Sequence, residues 1–272
     1  MRVGGKSGPL SAGREGKLIS TAGAAAMGGI FSPFSVLWGD AGIKAQTGTD
    51  WGRVDNSLTY VSPTFSGLQI RAQYSFKNDG TATGDENSSD VDRYAALGVS
   101  YKNGPAQFAL IGDYTMWKNV AKATENIDNG YSIIAGGNYD FKAVRVYGQV
   151  NYFDNQASLV SGVGGLAALE GTTSTSSTKG NLGYEGWGIS LGATAPALGG
   201  TVIAGVSYRD AEEVQGNNEY KRWEAALGYT YAFSKRTNAY AGVTYAQQKA
   251  ELTNKDQTPS AVGVMAGLVH KF

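Results

Sequence analysis

Long runs in which every second residue is apolar dominate this chain, and no other feature narrows its possible folds as far. Successive side chains of a strand point to opposite faces, so a two-residue period marks a sheet with one greasy and one polar side. Across residues 68–76 the apolar set is Leu68, Ile70, Ala72, Tyr74 and Phe76, interleaved with Gln69, Arg71, Gln73 and Ser75. Residues 223–233 repeat the pattern, with Trp223, Ala225, Leu227, Tyr229, Tyr231 and Phe233 set against Glu224, Ala226, Gly228, Thr230 and Ala232. Similar runs start near Pro9, Arg53, Asp92, Gly104, Asn129, Ala143, Tyr184, Gly200, Thr237 and Ser260. About a dozen strands of ~9–14 residues result, longer than the ~5–6 of a soluble strand and close to the ~9–11 that cross a bilayer at a tilt.

The connections alternate in length. Short turns fall at 62–67, 102–105, 140–143, 196–200 and 234–236, and long polar stretches at about 15–52, 77–91, 118–128, 154–183, 210–219 and 248–259. Tight turns at one end and long loops at the other describe an outer-membrane barrel. Aromatics then sort by height. Tyr60, Tyr101, Phe108, Tyr139, Phe141, Tyr229, Tyr231, Phe233 and Phe272 lie near the short-turn end, and Tyr74, Phe76, Tyr114, Tyr152, Trp187, Tyr208, Trp223 and Tyr245 near the long-loop end. A headgroup interface favours such belts, whereas a soluble sandwich has no reason to form them.

Composition removes other classes. Lys+Arg 23 balances Asp+Glu 23, which leaves no basic surplus for nucleic acid. Zero cysteines exclude disulfides and thiolate metal sites, and no cofactor motif is present. The opening Met1-Arg2-Val3-Gly4-Gly5 lacks the apolar stretch of a secretory signal. The single histidine, His270, has outward parity and no serine or carboxylate partner in the pattern, so an enzyme is not expected.

In hydrocarbon every backbone polar group needs an internal partner, so the sheet must close on itself. The apolar face then meets lipid and the polar face lines a watery lumen, with inward Gly98, Gly136, Gly188, Gly192 and Gly228 trimming the wall. The end of the chain, Val262, Val264, Ala266, Leu268, His270 and Phe272 at alternate positions, looks like the C-terminal signal read by the bacterial barrel-assembly machinery.

Specific residues carry a resemblance. Arg53-x-x-Asn56-Ser57-x-x-Tyr60-x-Ser62-Pro63-x-Phe65-Ser66-Gly67, then Gln73-Tyr74-Ser75, resembles the general porins of β-proteobacteria, within the Gram-negative porin family. Gly13-Arg14 and the ending His270-Lys271-Phe272 are also similar. The resemblance implies a homotrimer of 16-stranded barrels in the outer membrane that pass ions and small hydrophilic solutes. It also implies a long loop folding into the lumen, matched here by residues 15–52. The whole chain, 1–272, then reads as one porin domain holding strands five to sixteen, with the family's first four strands and export signal absent from it. Its two sheet edges stay unpaired unless the dozen strands close into a smaller barrel. Export, or assembly of the family's pore unaided, is not expected of it.

By the same resemblance Arg14 and Arg53 flank the inward loop and match arginines aimed at the constriction. Arg71 has lumen parity on the next strand. Asp40, Lys44 and Asp50 on the loop, and Asp55 and Asp113 with inward parity, supply the other charges. A few arginines between low-dielectric walls bias a wide channel towards anions. Phe31, Phe34, Trp38 and Trp51 are expected to pin the loop against the wall or to fill the side of the missing strands. A substrate-specific channel and a structural or translocator barrel are the alternatives to passive diffusion.

Overall fold

The structure is a computed structural model that describes residues 1–21, 23–34, 52–118, 128–156, 159, 183–253 and 255–272. Thirteen strands form one sheet in sequence order: β1 (Arg2–Val3), β2 (Leu10–Gly16), β3 (Arg53–Val61), β4 (Leu68–Ser75), β5 (Arg93–Asn103), β6 (Ala106–Met116), β7 (Gly130–Asp140), β8 (Arg145–Gln156), β9 (Tyr184–Ala197), β10 (Gly200–Glu213), β11 (Glu219–Ala232), β12 (Thr237–Glu251) and β13 (Ser260–His270). Every neighbouring pair is antiparallel. Twelve strands match the alternating runs. The thirteenth, β1, is too short to have a period, and joins through Arg2↔Ser11 and Val3↔Leu10. Among the described residues β1 and β13 are the sheet's two edges and do not pair with each other. Among the described residues no helix is long and apolar enough to cross a membrane.

Burial is inverted relative to a soluble domain. Leu97, Leu110, Val150, Leu191, Val206 and Leu227 are all more than half exposed, while Gln73, Ser132, Gln149, Asn151, Thr244 and Gln248 are buried. Register explains how a two-residue period becomes two faces. Leu227 lies opposite Ala204 on β10 and Val243 on β12, so apolar positions align across strands. Away from the sheet's two edges, backbone groups are satisfied by the neighbouring strands, which is what a lipid setting requires.

Aromatic pairs mark both ends of the outer face. At the long-loop end the ring centroids of Tyr74 and Phe76 are 4.8 Å apart, Trp187 and Tyr208 5.5 Å, and Trp223 and Tyr245 5.0 Å. At the short-turn end Tyr139 and Phe141 are 4.5 Å apart, and Tyr231 and Phe233 5.2 Å. From Trp223 to Tyr231 the strand runs about 27 Å along its own axis, a rise of about 19–22 Å at a tilt of ~35–45°, which puts the two rings near the opposite borders of the ~25 Å apolar band of an outer-membrane barrel.

One irregularity affects the reading of faces. Between Gly13 and Glu15 the β2–β3 register shifts, and Asn56 opposite takes φ 46°. Such a bulge interrupts strict alternation. Val54, not Asp55, is the fully buried residue beyond it. The inward parity expected for Asp55 therefore does not carry across this point.

Candidate pore constriction

The segment that follows β2 turns in and lies along the concave face. Its apolar residues decide where. Leu18, Ile19, Met27, Ile30 and Phe31 are buried against Val54, Tyr94, Ala96, Ala109, Ile111 and Ile134, which belong to β3, β5, β6 and β7. The segment first folds back on itself: Met27 N donates to Leu18 O at 2.8 Å and Gly28 N to Ser20 O at 3.0 Å. A Cβ on Gly28 would stand 2.4 Å from Ile19 O, so only glycine permits that approach. A single 3-10 turn at Gly28–Ile30 then aims Phe31 at the wall. Asn138 on β7 donates Nδ2 to Ile30 O at 2.9 Å.

Further along, Pro33 and Phe34 reach β9 and β10. A Cβ on Gly98, Gly192 or Gly205 would meet Met27 Sδ at 2.6 Å, Pro33 Cδ at 2.8 Å and Phe34 Cε2 at 2.9 Å respectively. Two of the glycines read as widening the bore, Gly98 and Gly192, are thus seats for the inward segment, because a wall without side chains lets backbone and rings approach closely. Phe34 is buried with Ile203, and Ala226, Tyr240 and Met265 pack against that pair. Part of the interior is therefore dry, in contrast to the uniformly wet lumen expected from parity. Gly98→Val forces Met27 off its seat and costs about 1–3 kcal/mol through overpacking, measurable as a lowered urea midpoint with the sheet's circular dichroism retained.

Charged groups sort relative to this segment. Arg71 on β4 faces inward and donates Nη1 to Ser100 Oγ at 2.9 Å and Nη2 to Gln69 Oε1 at 2.6 Å, which fixes its guanidinium on the wall. Arg14 is exposed and its Nε stands 3.2 Å from Asp55 Oδ1. Asp55 also accepts from Gly80 N at 2.9 Å, tying the bulge to the β4–β5 loop. Arg53, at the start of β3, is exposed. Asp113 does face inward on β6, yet it is only 5 % exposed and accepts from Ser132 Oγ at 2.8 Å. It sits beside Lys17, whose Nζ lies 4.8 Å from the Tyr94 ring centre. This carboxylate is enclosed with the foot of the inward segment instead of lining open lumen. Asp40, Lys44, Asp50, Trp38 and Trp51 lie outside the described residues. Phe272 is fully exposed, its ring 5.0 Å from that of His270.

Two functional candidates escape the sequence reading. Arg209 and Arg222 are direct cross-strand partners on β10 and β11, and both are buried on the inner face. Arg222 Nη2 approaches Glu224 Oε2 at 3.4 Å, and Arg209 Nη2 donates to Gln248 Oε1 at 3.5 Å. Parity had the signal: each alternates with an outward aromatic, Tyr208 or Trp223. The apolar run on β11 begins only at Trp223, one residue after the arginine.

A sheet greasy outside and polar inside, with aromatic rings at two heights and a chain segment pressed to its inner wall, is the wall of an outer-membrane channel. A family model described as Gram-negative porin matches residues 1–251, and the chain belongs to that family. It is 30% identical over 257 residues to an outer membrane porin protein of Bordetella pertussis, and 27% identical over 222 residues to outer membrane porin protein 32 of Delftia acidovorans. These alignments take in 90% and 79% of this chain but 64% and 52% of the relatives, so the chain spans between about half and two thirds of their length. Among solved structures, an anion-selective porin from Comamonas acidovorans superposes with TM-score 0.61 at 22% identity, covering 100% of this chain and 76% of that one. The fold is thus that of the transmembrane porin β-barrel, and the family places the protein in the outer membrane of Gram-negative bacteria. Membership points to a channel in place of an enzyme.

Proposed function

We propose that this sheet, with its edges joined into a closed barrel, passes ions and small hydrophilic solutes by diffusion and prefers anions. The inverted burial carries the reading: the face that a barrel turns to its lumen holds Gln73, Gln149, Asn151 and Gln248, and the opposite face holds leucine, valine and tryptophan. The inward segment, through its described residues between Leu18 and Phe34, narrows the lumen on the side of β3–β7. Arg71, Arg209 and Arg222 on the inner wall, with Arg14 and Arg53 at the segment's two ends, bias it towards anions, since arginine keeps its charge even where water is scarce. The relative from Comamonas acidovorans, named for anion selectivity, supports the sign. No reaction is assigned to the chain. Homotrimer formation, and recognition of Phe272 by the barrel-assembly machinery, belong to the same proposal through the family.

Planar-bilayer recording of the refolded chain in a salt gradient tests it. The expected result is stepwise conductance with a reversal potential on the anion side, moved towards zero in Arg71→Ala and in Arg53→Ala. A folded chain that gives no steps, or a clear cation preference, would overturn the proposal in whole or in its selectivity.

A further inference from the structure

The chain is neutral overall but its charges are separated along the barrel axis. Strands alternate in direction, so the connections β1–β2, β3–β4, β5–β6, β7–β8, β9–β10 and β11–β12, together with the C-terminus, share one end. Exposed Lys6, Lys102, Lys142, Lys235, Arg236 and Lys271 all lie there. Among the described residues Asp140 is the one side-chain carboxylate at that end, and Arg145 pairs with it at 2.7 Å. The other described aspartates and glutamates lie in the long loops or the strand halves next to them.

Position relative to the aromatic belt gives this asymmetry a meaning. Lys102 follows Tyr101, Lys142 follows Phe141, Lys235 stands two residues after Phe233, and Lys271 precedes Phe272. These rings are all on the exposed outer surface. The two short turns without a cation instead present bare apolar tips, Phe65 and Leu198, the latter 92% exposed. A ring at the boundary of acyl chain and headgroup, with a flexible ammonium just beyond it, sets the cation at the depth of lipid phosphates.

We propose that the short-turn rim is a docking surface for anionic phospholipid headgroups in the membrane leaflet at that end. The attraction is electrostatic and local: each Lys or Arg near the surface favours an anionic lipid about fivefold, and the effect fades within a Debye length. On the opposite rim the outward Lys221 and Lys249 are instead engaged by Glu219 and Glu251. The inference requires the barrel to sit in a bilayer, not that it conducts, so it stands or falls separately from the channel proposal.

The test compares spin-labelled phosphatidylglycerol with spin-labelled phosphatidylcholine, reading how much of each is immobilised at the surface of the chain refolded into phosphatidylcholine vesicles. The expected preference for phosphatidylglycerol is about fivefold at low salt, collapsing in 1 M salt. It falls to near one when Lys6→Gln and Lys271→Gln are combined with Lys102→Gln, Lys142→Gln, Lys235→Gln and Arg236→Gln, and part-way when only Lys235 and Arg236 are changed. All these positions are exposed, Lys142, Lys235 and Arg236 in short turns and Lys102 next to last in β5, where a glutamine keeps the backbone pairing with Gln107. Lys221→Gln with Lys249→Gln leaves the preference unchanged. Equal immobilisation of both lipids by the unmodified chain would overturn the proposal and leave an acidic soluble partner as the rim's counterpart. So would a loss of preference in the Lys221/Lys249 variant alone.

Discussion

Leu227→Arg lowers the stability of the chain in lipid vesicles by about 2–4 kcal/mol, the depth-dependent cost of a cation facing the middle of a bilayer. Leu227 stands midway between Trp223 and Tyr231 on β11, more than half exposed on the outer face. In water such a side chain would be a liability, and its replacement by arginine would be neutral or helpful. In hydrocarbon the guanidinium has neither water nor counter-ion within reach of its stem. The matched control is Thr230→Arg, three residues on and of opposite parity, which should stay within about 1 kcal/mol because it points to the interior side. Urea titration in vesicles, followed by tryptophan fluorescence, reads both. Equal costs for the two substitutions would mean that the assignment of faces is wrong, and with it the membrane reading.

Phe31→Ala has its main effect on the inward segment. Phe31 is 1% exposed and sits at the end of the 3-10 turn that carries the segment onto β5–β7. Truncating a buried phenylalanine costs about 3–5 kcal/mol where the surroundings cannot collapse. That loss falls on the docking of residues 17–34, because the strand ladders do not depend on this ring. Amide protection at Met27 and Gly28, whose N–H groups donate back to Leu18 O and Ser20 O, is expected to drop about a hundredfold or more, with strand amides unchanged. In bilayers the variant should open to larger and noisier steps, since the lumen loses its narrowing element. Unchanged protection at those amides would show that the segment is held by something other than its apolar contacts.

How much of this was legible beforehand depended on whether a signal was periodic. Strand identity, the assignment of faces and both aromatic belts follow from alternation, and β11 with its Trp223 to Phe233 series is the plainest instance. Features that interrupt a period were not legible. The bulge at Asn56 displaces Asp55 from its expected face; asparagine tolerates a positive φ better than most residues, but one asparagine within an alternating run does not by itself mark a bulge. Leu18, Ile19 and Met27 have neither a two-residue nor a helical spacing, so their place on the inner wall emerges only with the glycine seats opposite them. Asp113 has the parity of a lumen residue, but parity cannot show that another segment lies on top of it. Arg209 and Arg222 were within reach, and were missed because their strands extend further towards the loops than the greasy stretch that reveals them.

The inward segment has a consequence for how the molecule forms. Every strand pairs with its neighbour in sequence, so the sheet can grow hairpin by hairpin, with little chain entropy lost at each closure. The segment does the opposite: Ile30 meets Asn138, 108 residues away, and Phe34 joins a cluster that includes Met265. Those contacts exist only after the sheet has curled far enough to bring β5 and β12 around the same strap. Docking of the strap and final bending of the sheet are therefore one late, high-contact-order event, and a probe on Phe34 would report the moment at which a flat ribbon of hairpins becomes a curved wall.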